Sequence, residues 1–269
     1  MKLSAKFWVV VAAAVVILPA ARGQGAQIRV AAASDLTYVL ADLKPVYESQ
    51  THNKLQIVYG SSGNFYSQIQ NGAPFDVFLS ADLDYPRKLR TAGLVDAGTF
   101  YRYAVGEIAI WAPQDSGLEL RSRTWKALLD PKVQKIAIAN PEHAPYGSAA
   151  VAALRKARIY DQVRSKLVYG ENISQAAQFV QSGNAQAGIL ALSLVLSAPM
   201  KSGEHWEVPG DMHPPLEQAI VVLKRSHDIK AARGFLEFLK SDTARLKFID
   251  YGFTFPVAPK VLAPPARQH

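Results

Sequence analysis

The sequence predicts an α/β protein built as two lobes with parallel sheets, joined by a pair of crossing strands. Short, near-continuous apolar runs alternate along the chain with segments whose apolar residues recur at three- and four-residue steps. That is the pattern of buried strands alternating with the helices packed on them. Two longer extended runs, near 104–112 and 217–224, stand where a chain would leave one lobe once and return once. With 269 residues, 49% of them hydrophobic and 19% charged, there is material for two modest cores.

The elements follow in order. Lys2 and Lys6 precede an apolar run from Phe7 to Leu18, and the small residues Ala20, Ala21 and Gly23 come after it. This is the layout of a secretory signal peptide over 1–23 with cleavage after Gly23, and the run is too short to span a membrane comfortably. Ile28–Ala33 reads as a buried strand leading to a helix over 35–49, whose Leu36, Val39, Leu40, Leu43, Val46 and Tyr47 share one face. "LQIVYG" is the next strand and leads through Ser61-Ser62-Gly63-Asn64 to a helix with Phe65 and Ile69 inward. "FDVFLS" then enters a helix stopped at Gly93, with Asp76 and Asp82 as polar ends of the strand and the helix. The run "YAVGEIAIWAP" follows.

The second half repeats the plan with "WKALLD", strand "KIAIAN", loop "PEHAPYG", a helix carrying Val151 and Leu154, strand "KLVYG", a helix with Ile173, Ala177 and Val180, and the buried strand "QAGILALS". The stretch 200–216, "MKSGEHWEVPGDMHPPL", is polar and rich in Pro and Gly and reads as surface loop. "EQAIVVLK" comes next, then helices near 228–240 and 242–250. The expected division is a first lobe of 24–107 with 217–258, a second lobe of 108–216, and a disordered tail over 259–269, where prolines are frequent.

Composition narrows the function classes. Lys2, Lys6 and Arg22 supply three of the eight net positive charges and no acid precedes residue 24, so the chain beyond the signal segment carries +5. Its basic residues are dispersed, which argues against nucleic-acid binding while leaving a mild field that favours anions. The chain has no cysteine, which removes disulfides, thiolate zinc sites, cysteine nucleophiles and a lipid-bearing cysteine together. The six histidines show no His-x-x-x-His spacing, so no free-cation site is expected. Trp111, Trp125 and Trp206 are assigned to packing.

Chemistry concentrates at four strand-to-helix junctions: Ser34-Asp35, Ser61-Ser62-Gly63-Asn64, Pro145-Tyr146-Gly147-Ser148 and Asn172-Ile173-Ser174. Ligands gather at the carboxyl ends of strands in open α/β sheets, where the first N–H groups of each helix lack partners. These turns hold hydroxyls and amides and no lysine or arginine. Brought together, they would suit a small oxyanion held by neutral donors. For any one junction the alternative is a simple helix cap.

"AAASDLT", "SSGNFYSQIQNGAPFDVFLSADLDYPRKL", "ANPEHAPYG" and "YGFTFP" occur in that order between Ile28 and Pro256. They resemble successive stretches of the periplasmic molybdate-binding proteins of ABC importers. The resemblance implies the two-lobed type II periplasmic-binding-protein fold, closing on molybdate or tungstate and delivering it to a membrane permease. It also implies a monomeric, periplasmic protein with no enzymatic activity, catalytic residue or cofactor. Carried onto this sequence, it places hydroxyl donors at Ser34 and Ser62, with Ser61 as a one-residue alternative, and backbone N–H donors at Tyr146 and Ile173. A tyrosine hydroxyl that some members carry falls on Ala191, so coordination would rest more on backbone amides or on Tyr146.

Asp35 has two readings: its N–H faces the ligand while the carboxylate caps the helix, or the carboxylate accepts a proton from a protonated anion. The rivals are a phosphate- or sulfate-binding protein and, from another class, a secreted lyase using Asp35 or His143 as acid or base.

Overall fold

The computed structural model describes residues 25–256. The signal-peptide reading of 1–23 and the tail reading of 259–269 lie outside the described residues. The chain runs through β1 (Gln27–Ala33), one 3-10 turn at Ser34–Leu36, α1 (Thr37–Thr51), β2 (Lys54–Gly60), α2 (Ser62–Gln70), β3 (Val77–Ser80), α3 (Asp84–Thr91) and β4 (Tyr101–Gly106). It continues through β5 (Ile108–Pro113), α4 (Leu120–Arg123), β6 (Ile136–Ala139), α5 (Pro145–Lys156), α6 (Tyr160–Val163), β7 (Leu167–Gly170), α7 (Ile173–Gln181), β8 (Ala187–Ala191), α8 (Leu192–Val195) and β9 (Gly203–Glu207). Last come β10 (Leu216–Val222), α9 (Ile229–Leu239) and α10 (Asp242–Asp250).

Two five-stranded sheets result, ordered β2-β1-β3-β10-β4 and β7-β6-β8-β5-β9. Each is parallel on one side and antiparallel on the other: β1 pairs in parallel with β2 and β3, and β6 with β7 and β8, whereas β10 and β5 run against both of their neighbours. The α/β reading therefore holds, with mixed sheets in place of purely parallel ones. The chain crosses between sheets at Glu107, and returns along 208–215 into β10. The two crossings lie side by side, because Gly106 pairs with Leu216 and the Val208 N–H donates to the Ile108 carbonyl at 3.0 Å.

The apolar strands of the first sheet are continuous because both faces are covered. Alternate residues point to opposite sides: Val30, Ala32, Val77, Leu79, Ile220 and Val222 pack with α1, α9 and α10, around Tyr47, Phe235 and Phe248. Ala31, Phe78 and Val221 face the other way, onto Phe65, Ile69 and Leu89 of α2 and α3. The second sheet has its own core around Ile110, Ile138 and Ile189.

Some local expectations change. The first helix begins with the tight turn at Ser34–Leu36 and ends at His52, which adopts a left-handed φ of 59°. "WKALLD" forms a 3-10 segment over Thr124–Leu129. The stretch read as surface loop contains β9, the edge strand of the second sheet. The reason is aromatic anchoring: Trp206 pairs opposite Ile110 and meets Trp125 edge-on at 5.4 Å, while Trp111 Nε1 donates to the Met200 carbonyl at 3.0 Å. Asp76 is buried and accepts the Arg29 and His227 backbone N–H groups, and Asp82 accepts the Tyr85 N–H at the start of α3.

Candidate functional site

The carboxyl ends of β1 and β2 lead into Ser34 and α2, and those of β6 and β7 lead into α5 and α7. These ends of the two sheets face each other across one small cavity, lined by Ser34, Asp35, Ser61, Ser62, Tyr146 and Ile173 together with Ala33, Gly60, Ala81, Ala144 and Pro145. The space between atoms there is about 190 Å³, so the site takes one compact group. Ser34 also borders a wider cleft beyond Thr37 and Asn172, where the space between atoms is about 880 Å³. Ala191 is not among the cavity residues; it is buried at the end of β8.

Three helices of nine or more residues, α2, α5 and α7, start at this cavity. Each presents N–H groups ahead of its own hydrogen-bond ladder and the positive end of its dipole. Ser62 Oγ accepts the Ala81 N–H at 3.0 Å, which leaves its own hydrogen for a ligand. Ser61 Oγ accepts the Asn64 N–H at 3.4 Å and so caps α2. Ser61→Ala is accordingly expected to cost about 1 kcal/mol of stability in urea unfolding, the usual worth of such a cap. Ser34 Oγ donates to Asn172 Oδ1 at 3.1 Å and accepts the Ser174 N–H at 3.3 Å, while Asn172 Oδ1 also caps α7 through the Gln175 N–H. The Ser34 hydroxyl is thus engaged across the gap and must rotate to face the cavity.

The gap between the sheets is closed by further bonds. The Gly63 N–H donates to the His143 carbonyl at 2.9 Å, Asn64 Nδ2 to Glu171 Oε1 at 3.0 Å, and Ser193 Oγ to the Asp35 carbonyl at 2.8 Å. His143 is half-buried, and its Nε2 lies 3.0 Å from the Glu171 carbonyl; it is not among the residues that line the cavity.

Asp35 departs from the capping expectation. Its Oδ2 accepts Gln218 Nε2 at 2.7 Å and Tyr146 Oη at 3.0 Å, and its Oδ1 is buried with no partner. The tight 3-10 turn swings the side chain away from the N–H groups of α1 and toward β10. Burial pushes the Asp35 pKa up to about 6, against the hydrogen bonds from Gln218, Tyr146 and its own backbone that pull it down. The Tyr146 hydroxyl is therefore committed to Asp35, in a niche where a Cβ on Gly106 would overlap it. No lysine, arginine or histidine lines the cavity.

A family model described as bacterial extracellular solute-binding protein matches residues 28–254. The chain belongs to that family. Among the relatives of this solute-binding protein, the molybdate-binding protein ModA of Azotobacter vinelandii is 40% identical over 242 residues, covering 88% of this chain and 93% of that protein. ModA of Rhodobacter capsulatus is 36% identical, covering 88% and 90%. The solved periplasmic molybdate-binding protein of Azotobacter vinelandii superposes with a TM-score of 0.80 at 30% identity, over 86% of this chain and 100% of that one. Both relatives are named as binding proteins, and among the described residues no helix is long and apolar enough to cross a membrane.

Two participants in the solute-binding protein's site escape a reading of local spacing. Gln218 is fully buried in β10, with Oε1 accepting Tyr103 Oη at 2.6 Å, and Ser193 is buried at the start of α8. The available signal was a glutamine inside the apolar run "EQAIVVLK": a polar side chain on a covered strand needs a buried partner.

Proposed function

We propose that this protein captures molybdate, and tungstate with it, outside the cytoplasm and hands the ion to the permease of an ABC importer. The observation that carries this reading is the convergence of three helix N-termini and the Ser62 hydroxyl on a cavity for one compact group, with no cationic side chain in its lining. A tetrahedral dianion offers only acceptors, and each charge-assisted hydrogen bond to it is worth roughly 1.5–3 kcal/mol. Ser34, Ser62 and the backbone N–H groups of Tyr146 and Ile173 are the proposed donors, with Ser61 serving as cap.

The lobes in this reading are 24–107 with 217–258 and 108–216. Their closure on the ion presents the surface that the permease reads, and the protein acts in the periplasm as a monomer. Ligand affinity for the closed form sets how far the equilibrium moves. An enzymatic role is disfavoured because Asp35 is the sole carboxyl at the cavity and no base pairs with it.

Isothermal titration of the protein with molybdate, tungstate, sulfate and phosphate tests the reading. The expected result is tight binding of the first two, weakened about tenfold or more by Ser62→Ala, as the loss of one charge-assisted bond requires. Ser34→Ala loses a donor but also an inter-lobe bond, so its effect is expected to include less favourable closure. Absence of heat with molybdate and tungstate overturns the proposal.

A further inference from the structure

We propose that Asp35 meets the anion as a carboxylic acid, taking up one proton as the ligand enters and donating it from Oδ1 in a hydrogen bond to a ligand oxygen. The inference rests on the reading of the site as a molybdate site and adds how a carboxyl group can line it.

The geometry decides which oxygen carries the proton. Oδ2 already accepts two hydrogen bonds, from Gln218 Nε2 and Tyr146 Oη. Gln218 is held in that orientation from its other end, where Oε1 accepts from Tyr103 Oη. Oδ1 has no partner although it is buried and Asp35 lines the cavity. An ionised carboxylate in that place would set a bare acceptor against a dianion whose oxygens are acceptors too, and fully deprotonated molybdate has no proton to share. A proton on Oδ1 removes the repulsion and turns the orphaned atom into one more donor.

The chemistry around Asp35 favours this. Burial already brings its pKa to about 6, and an adjacent dianion raises it further, since like charge disfavours the ionised form. Phenols surround the carboxyl group, with acids farther off. Tyr146 on α5 and Tyr103 on β4 are held by burial well above their ordinary range, and Tyr59 at the end of β2 is pushed up to about 12. Tyr38 stands in the first turn of α1, and α7 and α8 contribute no titratable side chain. Asp82 beyond β3 and Glu107 after β4 are acids whose pKa values are also raised by burial; Asp82 binds Ser80 and the Tyr85 N–H, and neither acid lines the cavity.

The sign follows from linkage. A group whose pKa is raised by the ligand gives its full contribution to affinity below its value in the protein alone, about 6. That contribution is lost as pH rises above it, by up to about tenfold per pH unit, until the pKa of the complex is passed.

The test is calorimetric titration of the full protein with molybdate from about pH 6 to about pH 8, where the ion itself is unprotonated, at each pH in two buffers of different ionisation enthalpy. The expected result is uptake approaching one proton per ion at the upper end and a dissociation constant rising toward tenfold per pH unit. Asp35→Asn, which carries a permanent N–H donor, is expected to bind with no uptake and a flat profile, and Asp82→Asn is expected to keep the slope. Tight, pH-independent molybdate binding by the unmodified protein with no proton uptake overturns the inference while leaving the proposed function standing. A slope that persists in Asp35→Asn also overturns it, and no molybdate binding at any pH removes both.

Discussion

Replacing Gly63 by alanine is expected to weaken molybdate binding by about a hundredfold while leaving the first lobe at least as stable as before. Gly63 is the second residue of α2, in ordinary helical backbone, so a methyl group there adds helix propensity worth about 0.4–1 kcal/mol. In the closed form, however, that Cβ would stand 2.8 Å from both the carbonyl oxygen and Cβ of His143, across the gap, and 2.6 Å from Tyr85 Oη. The tyrosine end can swing aside. The His143 backbone cannot, since its carbonyl accepts the Gly63 N–H itself and its loop is tied back through Asn140. Overpacking of this kind costs about 1–3 kcal/mol, charged entirely to closure, and the apparent affinity falls by the fraction of molecules still able to close. Titration with molybdate read alongside urea unfolding separates the two effects. Unchanged affinity would mean that binding does not need the lobes to meet at Gly63.

Gly147→Ala should behave differently, with a loss of about 3 kcal/mol in unfolding free energy as well as weaker binding. A Cβ there would overlap the Ala139 carbonyl oxygen and lie 2.7 Å from the carbonyl carbon of Ala139 and 2.9 Å from that of Asn140, all within the same half of the molecule. These atoms end β6 and lead into the turn that starts α5, so relief requires the helix to lift off its own sheet. That movement carries the Tyr146 N–H and hydroxyl with it and opens the core at Ala150 and Leu154. Denaturant midpoints for the two glycine variants should therefore move in opposite directions although both lose affinity. A Gly147→Ala protein of full stability would show that β6 and α5 can separate at no cost.

The junction residues were legible in the sequence because each marks a local event, the handover from an apolar strand to a helix-spaced segment. The four junctions could be located in that way, the choice of Ser34, Ser62, Tyr146 and Ile173 within them following from the family resemblance, and the same spacing located Asp82 at the start of α3. The side-chain direction of Asp35 was not legible. Capping is the local solution for an aspartate at a helix start, but the partners it finds are 111 and 183 residues away. Nor could spacing reveal β9, since edge strands are often polar and its pairing is decided by where Trp206 and Trp125 meet. The sheets came out mixed because β5 and β10 enter as the returns of inter-sheet crossings, a constraint of topology that leaves no mark on an apolar run.

The position of β10 between β3 and β4 also imposes an order in time. Every strand of the second sheet comes from one unbroken stretch, 108–207, whereas the first sheet stays in two pieces, β2-β1-β3 and β4, until residues 216–222 arrive to join them. A chain that emerges N-terminus first can therefore assemble the second sheet while β4 still waits for its neighbour. The half that starts the sequence is the half whose sheet needs the last strand to be complete.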